Sequence, residues 1–488
     1  MEAGFTNVRV PVRWDEHTSD TAPFTIDESW MNRVEEVIDW GLERDLYITL
    51  NGHHEDWLKT GYSNPILRAR YDAIWEQIMV RFGDKSDKLL LEIINEPNGM
   101  SVAQVDDLNA RILGIIRETN PTRLVIYGGN MYSNSEQLYQ AAIPEDDYII
   151  GYFHSYDPWP FAGQGNGTWG STGDYSNMEN KFQQAANWSA ANDISIHVSE
   201  FGAVHECDYN SRMRYYAYYT EQMERHGFAF SVWDDGGMFG VLNRNNNTWP
   251  EVKDILMYTQ LDSPDRIFAV SSEDTDGNPI AEVTWRNRAT DSGEITVQRS
   301  VGNGNFLAVA QLPADATEYL DTDVAIGNTY TYRVVTFKAD GTELQSYPSR
   351  IGLAGVVDQA PFMGNIATIP GRIEAENFDV GGEGVSYSDS EVTNIPGAYR
   401  PGEGVDVEDN GSGGFQVGYV SQGEWLEYTV NVTQTGPYLL DADLASEVGN
   451  GSMRISAAAT GESTTITVAG SGTGGWTNQQ NFVASAPL

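Results

Sequence analysis

Along the first ~260 residues, short apolar β-branched runs alternate with stretches whose apolar positions recur every three or four residues. The runs are Phe5–Val12, Leu46–His54, Leu89–Glu96, Arg123–Gly129, Tyr148–Tyr156, Ile194–Gly202 and Phe228–Asp234. Between them lie sets such as Met31, Val34, Ile38 and Leu42; Tyr71, Ile74, Ile78 and Phe82; and Val105, Leu108, Ile112 and Ile115. Strand and helix alternating in this way predict parallel βα units. Seven units in that length predict an α/β (β/α)₈ TIM barrel with one βα unit missing, against the alternative of an open doubly wound sheet.

From about Pro264 the helical period stops. Short alternating runs such as Ile295/Val297 and Tyr330/Tyr332/Val334 stand between Gly, Asn and Asp, which predicts a small β-sandwich. Leu353–Ile369 has no clear period and reads as a linker. From Pro370 onward Gly and Ser are abundant, and runs such as Trp425-Leu426-Glu427-Tyr428-Thr429-Val430 predict a second sandwich, of jelly-roll type. The expected organisation is a barrel over 1–262, a sandwich over 263–353, a linker over 354–369 and a jelly roll over 370–488.

Charge narrows the partners. The 488 residues carry 70 acidic and 29 basic side chains, a formal net charge of −41. Such a chain repels phosphate backbones, so nucleic acid is not an expected partner, whereas a neutral polymer is not repelled. The acidity also fits a salty medium, where screening weakens self-repulsion. A single cysteine, Cys207, excludes an intramolecular disulfide. No apolar run approaches the ~18 residues of a membrane span.

Titratable and polar groups gather where the predicted strands end: Arg9, His53-His54, Asn95-Glu96-Pro97, His154, Tyr156, Glu200 and Trp233. Active sites of such barrels lie at the C-terminal strand ends. Core packing does not predict polar groups recurring at one layer while the strand bodies stay apolar. Two carboxylates on opposed strands are the minimum for glycoside hydrolysis, retaining at a separation of about 5–5.5 Å and inverting at about 6.5–9.5 Å. Sequence leaves that gap open. Read singly, each residue has a blander explanation: Asn-Glu-Pro often just ends a strand, and a lone His or Trp is usually core.

Taken in order, the set resembles glycoside hydrolase family five, whose eight near-invariant positions all have counterparts. These are Arg9 in Val8-Arg9-Val10-Pro11, His53, Asn95 and Glu96, His154 and Tyr156, Glu200 in Ser199-Glu200-Phe201-Gly202, and Trp233. The resemblance implies that Glu200 attacks the sugar and that Glu96 is the acid/base. It implies that Arg9 and Tyr156 hold Glu200 ionised, that His154 tunes Glu96, that Asn95 bonds the sugar 2-hydroxyl and that Trp233 floors a sugar subsite. Of His53 and His54, one is expected to face away, because neighbours on a strand point to opposite sides. Trp57, Trp159 and Trp169, on loops after the second and fifth runs, are candidates for stacking on sugar rings, with local packing as the alternative.

Residues 264–352 resemble a fibronectin type III module through Trp285, Tyr319 and Tyr330-Thr331-Tyr332-Arg333-Val334. Residues 370–488 resemble a family six carbohydrate-binding module. The likeness is carried by Arg372-Ile373-Glu374-Ala375-Glu376, Gly418-Tyr419-Val420, Gly423-Glu424-Trp425-Leu426-Glu427-Tyr428 and Thr473-Gly474-Gly475-Trp476. That likeness implies Tyr419 and Trp476 facing a sugar, and Glu374 and Glu376 helping to hold a structural calcium. Against the families, the chain is expected to lack the first βα unit and the last strands of the binding module, so that two barrel edges stand unpaired. No secretory signal is read at Met1, and secretion is expected with the signal lost alongside that unit. The expected function is retaining, endo-acting hydrolysis of a β-1,4-glucan by a monomer, with no cofactor for catalysis. The alternatives are mannan, xyloglucan or mixed-linkage glucan as substrate, or a carbohydrate-binding protein without catalysis.

Overall fold

In the computed structural model of the chain, seven parallel strands form one sheet in chain order. They are β1 (Asn7–Val10), β2 (Tyr47–Asn51), β3 (Leu89–Glu92), β4 (Val125–Gly128), β5 (Ile149–Ser155), β6 (Ile196–Phe201) and β7 (Ala229–Val232). The structure describes residues 3–274, 278–353, 359–389, 394, 396–400, 403–411, 414–449 and 451–488. The expected linker residues 354–358 lie outside the described residues.

Helices fill the connections: α1 (Glu28–Leu42), α2 (Asp56–Gly61), α3 (Pro65–Phe82), α4 (Val102–Thr119), α5 (Ser135–Leu138), α6 (Trp159–Ala162), α7 (Thr172–Asn192), α8 (Tyr209–His226) and α9 (Glu251–Tyr258). Their starts are chemically marked. Ser101 and Gln104 form a reciprocal cap on α4, as do Ser171 and Asp174 on α7, while Asn64 caps α3 ahead of Pro65. The 3.6-residue period names the inner faces. Met31, Val34, Ile38, Tyr71, Ile74, Ile78, Phe82, Val105, Leu108 and Ile112 are all buried. On α4 the last buried position is Ile116, with Ile115 only partly covered.

The sheet curls into a nearly closed barrel. At the two ends of the strand order, Asn7 Nδ2 donates to the Phe230 carbonyl at 3.2 Å, and Ser231 Oγ donates to Asn7 Oδ1 at 2.8 Å. One amide therefore links β1 to β7, in place of a backbone ladder among the described residues. The edges expected to stand apart are bridged by these side-chain bonds.

After α9 the chain turns to strands alone: β8 (Asp265–Glu273), β9 (Pro279–Arg286), β10 (Ile295–Val301), β11 (Leu307–Leu312), β12 (Glu318–Asp321), β13 (Thr329–Phe337), β14 (Glu343–Gln345) and β15 (Ser349–Gly352). They make a three-stranded sheet, β12-β9-β8, and a five-stranded sheet, β11-β10-β13-β14 with β15 also on β13. Val283, Trp285, Val297, Tyr332 and Val334 are buried. These sheets belong to one compact unit with the barrel, residues 1–353. Arg288 pairs with Glu221 of α8 at 2.8 Å and Arg333 with Asp254 of α9 at 2.7 Å. Asn210 exchanges two hydrogen bonds with the Arg350 backbone, at 2.7 and 2.9 Å.

Residues 354–488 form a second unit. Its strands pair two by two, Asp441–Ser446 with Gly475–Val483 and Gly451–Ser456 with Ser463–Val468 among them. The run from Trp425 to Val430 breaks into separate short strands, Trp425–Leu426 and Val430–Val432. A small core of Phe378, Tyr387, Val405 and Val407 holds one end. Among the described residues, no helix is long and apolar enough to cross a membrane.

Candidate active site

The strands are shorter than their apolar runs, so the residues that follow them emerge as loops at one rim. Asn95, Glu96, His53 and Trp233 all sit just past strand ends, whereas Arg9, His154 and Glu200 lie within strands. Adjacent strands bring the latter together: the parallel register sets His154 beside Glu200, next to a shift in pairing between Phe153 and His154. Such irregularities re-aim side chains beside sites.

Two carboxylates meet at an imidazole. His154 Nδ1 lies 2.8 Å from Glu96 Oε1 and 3.4 Å from Glu200 Oε2. Ligand-type atoms of the three residues all fall within 4.8 Å of one another. Glu200 Oε1 accepts from Arg9 Nη1 at 2.6 Å, and Glu200 Oε2 accepts from the Tyr156 hydroxyl at 2.9 Å. Burial, then the Glu200 charge, pushes the Tyr156 phenol far above its ordinary range, so it stays a neutral donor. Glu96 is half-exposed. Burial pushes its carboxyl up, but the His154 bond, the His154 charge, Lys59 and Arg9 outweigh burial and hold it below the ordinary value. Lys59 itself is buried, with its ammonium 3.3 Å from the His53 carbonyl.

The Asn95-Glu96 turn is held from below. Glu96 adopts left-handed backbone, φ 46°, and its N–H donates to the Tyr152 hydroxyl at 3.2 Å. That hydroxyl donates to the Ile94 carbonyl at 2.6 Å and bonds Ser133 Oγ at 2.7 Å. The Asn95 side-chain oxygen accepts from Arg9 Nη2 at 2.7 Å, which leaves its amide N–H groups to donate elsewhere.

Both histidines lie past the end of β2, their rings edge to face with 4.5 Å between centroids, but they differ in burial. His53 is buried and its ring lies parallel to Trp233, 5.6 Å between centroids, while His54 is exposed. Burial first, then the charges of Arg9 and its neighbours, drives the His53 imidazole down to about 2, so it remains neutral. Of the loop tryptophans, Trp159 is 51% exposed and its ring meets the edge of Tyr156, placing it beside the carboxylates. Trp57 is part-buried, donates to Glu55 Oε2 at 2.6 Å and lies under the Arg70 guanidinium. Trp169 corrects the expectation of a cleft platform. It is only 2% exposed and packs among Tyr175, Tyr215 and Tyr218, because α7 and α8 need a large ring to fill the space between them.

In the second unit, Tyr419 and Trp476 are 62% and 61% exposed. Glu374 pairs with Arg372 at 2.9 Å. Among the described residues, the group of three acidic, His or Cys ligands close enough to share an ion is Glu96, His154 and Glu200, and it does not include Glu374 or Glu376.

Sequence reasoning passed over Glu92, Asn51 and Tyr152. Glu92 is fully buried, accepting from Arg9 Nη2 and Nε and from Asn51 Nδ2. A lone carboxylate inside Leu89-Leu90-Leu91-Glu92-Ile93-Ile94 was the available signal, since buried charges are paired. Tyr152 lies on the same strand face as His154, two residues apart.

Comparison with known proteins agrees with this geometry. The cellulase family, glycosyl hydrolase family 5, matches residues 1–237, and the family 6 carbohydrate-binding module matches residues 398–484. Endoglucanase H of Acetivibrio thermocellus is 45% identical over 244 residues, covering 50% of this chain and 27% of that protein. Endoglucanase A of Ruminococcus albus is 30% identical over 281 residues, covering 50% of this chain and 76% of that protein. A crystal structure of a hyperthermophilic endo-β-1,4-glucanase in complex with substrate aligns with a TM-score of 0.51 at 31% identity, over 52% of this chain and 86% of that one. The chain thus spans only a part of some relatives, about a quarter of Endoglucanase H.

Proposed function

The chain belongs to glycosyl hydrolase family 5, and from that premise we propose that it hydrolyses internal β-1,4 bonds of a glucan with retention of configuration. The observation that carries the reading is the closeness of the two carboxylates: an oxygen of Glu96 and one of Glu200 lie within 4.8 Å, beside a shared histidine. That closeness supports the retaining spacing of about 5–5.5 Å over the inverting spacing of about 6.5–9.5 Å.

The chemistry then runs in two displacements. Glu200 attacks the anomeric carbon, forming a C–O bond as the glycosidic C–O bond breaks, and Glu96 delivers its proton to the departing oxygen. Glu96, now a carboxylate, takes a proton from water, whose oxygen attacks the same carbon and releases Glu200. Arg9 and Tyr156 each place one donor on Glu200 and so aim it. The free amide of Asn95 suits the sugar 2-hydroxyl, a contact that tightens in the transition state. Trp233, backed by neutral His53, offers a ring face to a pyranose.

The strand pairing of residues 265–352 supports a fibronectin type III-like sandwich that acts as a spacer. The family 6 match supports polysaccharide binding by the second unit, with Tyr419 and Trp476 as the sugar-facing rings. An insoluble polymer requires action outside the cell, and tethered binding raises local enzyme concentration at its surface.

Reducing-sugar release from carboxymethyl cellulose, barley β-glucan, xyloglucan, glucomannan and galactomannan tests the reading. Activity is expected on the glucans, with β-anomeric product at early times, and Glu200→Gln is expected to lower kcat by roughly 10³-fold or more. Silence of the folded protein across the panel would overturn it. Activity confined to the mannans would replace glucan by mannan.

A further inference from the structure

Glu92 is the ionised carboxylate that the two displacements do not use. It ends β3, and it is fully buried. Its Oε1 accepts from Arg9 Nη2 at 2.5 Å and from Asn51 Nδ2 at 2.9 Å, and its Oε2 accepts from Arg9 Nε at 2.7 Å. The Nε–Nη2 edge is one of the two with which a guanidinium grips a carboxylate at two points. Arg9 therefore gives that edge to Glu92, a further N–H to Asn95 and a single Nη1 donor to Glu200.

We infer that Glu92 is a positioning residue for the hydrolysis: it orients Arg9 edge-on, offsets its charge, and so restricts the nucleophile to one bond from the guanidinium. The inference rests on the reading of Glu200 as nucleophile. A carboxylate that must form a bond to carbon loses charge in the transition state. A two-point ion pair would stabilise it more before attack than during it, and would slow the step. A guanidinium without a counter-ion in a buried site also favours the charged form of every nearby carboxyl, and Arg9 already acts on Glu96 in that direction. With Glu92 charged, burial of Arg9 is offset and the pair is close to neutral, so the field at Glu96 and Glu200 is tempered.

Asn51 and the strand register make the arrangement specific. β2 sets Asn51 beside Glu92, and the Asn51 amide closes the last site on Oε1. Glu92 is thus held by both Arg9 and Asn51, while Arg9 bonds Glu92, Asn95 and Glu200 at once.

The test is Glu92→Gln, which keeps the shape and removes the charge, compared with wild type and Glu92→Asp. Kinetics on soluble β-glucan are measured across pH. In parallel, inactivation is followed with 2,4-dinitrophenyl 2-deoxy-2-fluoro-β-cellobioside, whose leaving group needs no acid. For Glu92→Gln, kcat is expected to fall about ten-fold or more with KM within about two-fold, and the pH profile to move about one unit toward acid. The inactivation rate is expected to fall in parallel. Glu92→Asp keeps the charge at shorter reach, so its profile is expected to stay at the wild-type pH with a lowered kcat. A folded Glu92→Gln protein with an unmoved pH profile would overturn the inference. Should that variant not fold, an unchanged kcat in Glu92→Asp would overturn it. A wild type that neither cleaves glucan nor traps a glycosyl-enzyme would sink the nucleophile reading itself, a result distinct from an active wild type with an unresponsive Glu92→Gln.

Discussion

A single hydrogen bond governs the acid/base. His154 Nδ1 sits 2.8 Å from Glu96 Oε1, and its contact and charge are the largest effects that hold the Glu96 carboxyl down against burial. A general acid works only while protonated, so a lowered carboxyl loses activity at a lower pH as pH rises. The sign for a variant follows. His154→Asn removes a contribution that lowers Glu96, so Glu96 keeps its proton to higher pH and the alkaline limb of kcat/KM moves up. A pH profile of the variant measures this, and a limb that stays or moves down would contradict the assignment. The same carboxylate stands on left-handed backbone, an arrangement that costs on the order of 1 kcal/mol for a residue with a Cβ. Tyr152 and Ser133 hold the turn in place.

Loops after strands are where elements become function, and the loop after β2 shows how one is fastened. Glu55 is buried there, accepting from the Trp14 N–H at 2.9 Å and from Trp57 Nε1 at 2.6 Å, and so ties the loop after β1 to the loop after β2. Burial raises its carboxyl from the ordinary 4.5 to about 7, with the two hydrogen bonds opposing. A group raised in the folded state stabilises fully below its unfolded value and loses that contribution as pH rises through the folded one. Stability is therefore expected to fall between pH 4.5 and about 7, by roughly 2–3 kcal/mol from this group. Melting temperatures of wild type and Glu55→Gln across that range check it: the variant should show the shallower slope, and equal slopes would refute the assignment. Trp169 belongs to this scale too. Its position on a long loop suggested a sugar platform, but the seam between α7 and α8 takes it up as core.

At the scale of the whole chain, the barrel and the β8–β15 sheets share ion pairs and backbone bonds, Arg288 to Glu221 and Asn210 to Arg350 among them. Residues 354–488 form a unit of their own. If that unit serves adsorption and the barrel serves cleavage, the two activities separate by mutation. Tyr419→Ala with Trp476→Ala is expected to lower retention on insoluble cellulose about ten-fold or more, since each stacked ring contributes on the order of 1 kcal/mol. Turnover of a soluble glucan should be unchanged. Pull-down on cellulose beside soluble-substrate kinetics reads both, and full retention by the double variant would remove these rings from binding.

The sequence by itself determined the order of βα units, the inner faces of α1, α3 and α4, and the polar layer at the strand ends. These are local periodicities, set by 2.0 and 3.6 residues per repeat, and they survive without knowledge of neighbours. Six of the eight family positions, Arg9, Asn95, Glu96, His154, Tyr156 and Glu200, converge on two carboxylates and one imidazole or their immediate partners, while His53 and Trp233 stack on each other. Only the tertiary structure decided the rest. The carboxylate spacing, the bridge of Asn7 across the barrel ends, the burial of Trp169 and the Glu92 grip on Arg9 join residues far apart in the chain. Such distances depend on strand register and curvature, which no local pattern encodes. Glu92, a charged residue in an apolar run that the sequence reading passed over, needs a partner once buried, and the fold supplies Arg9.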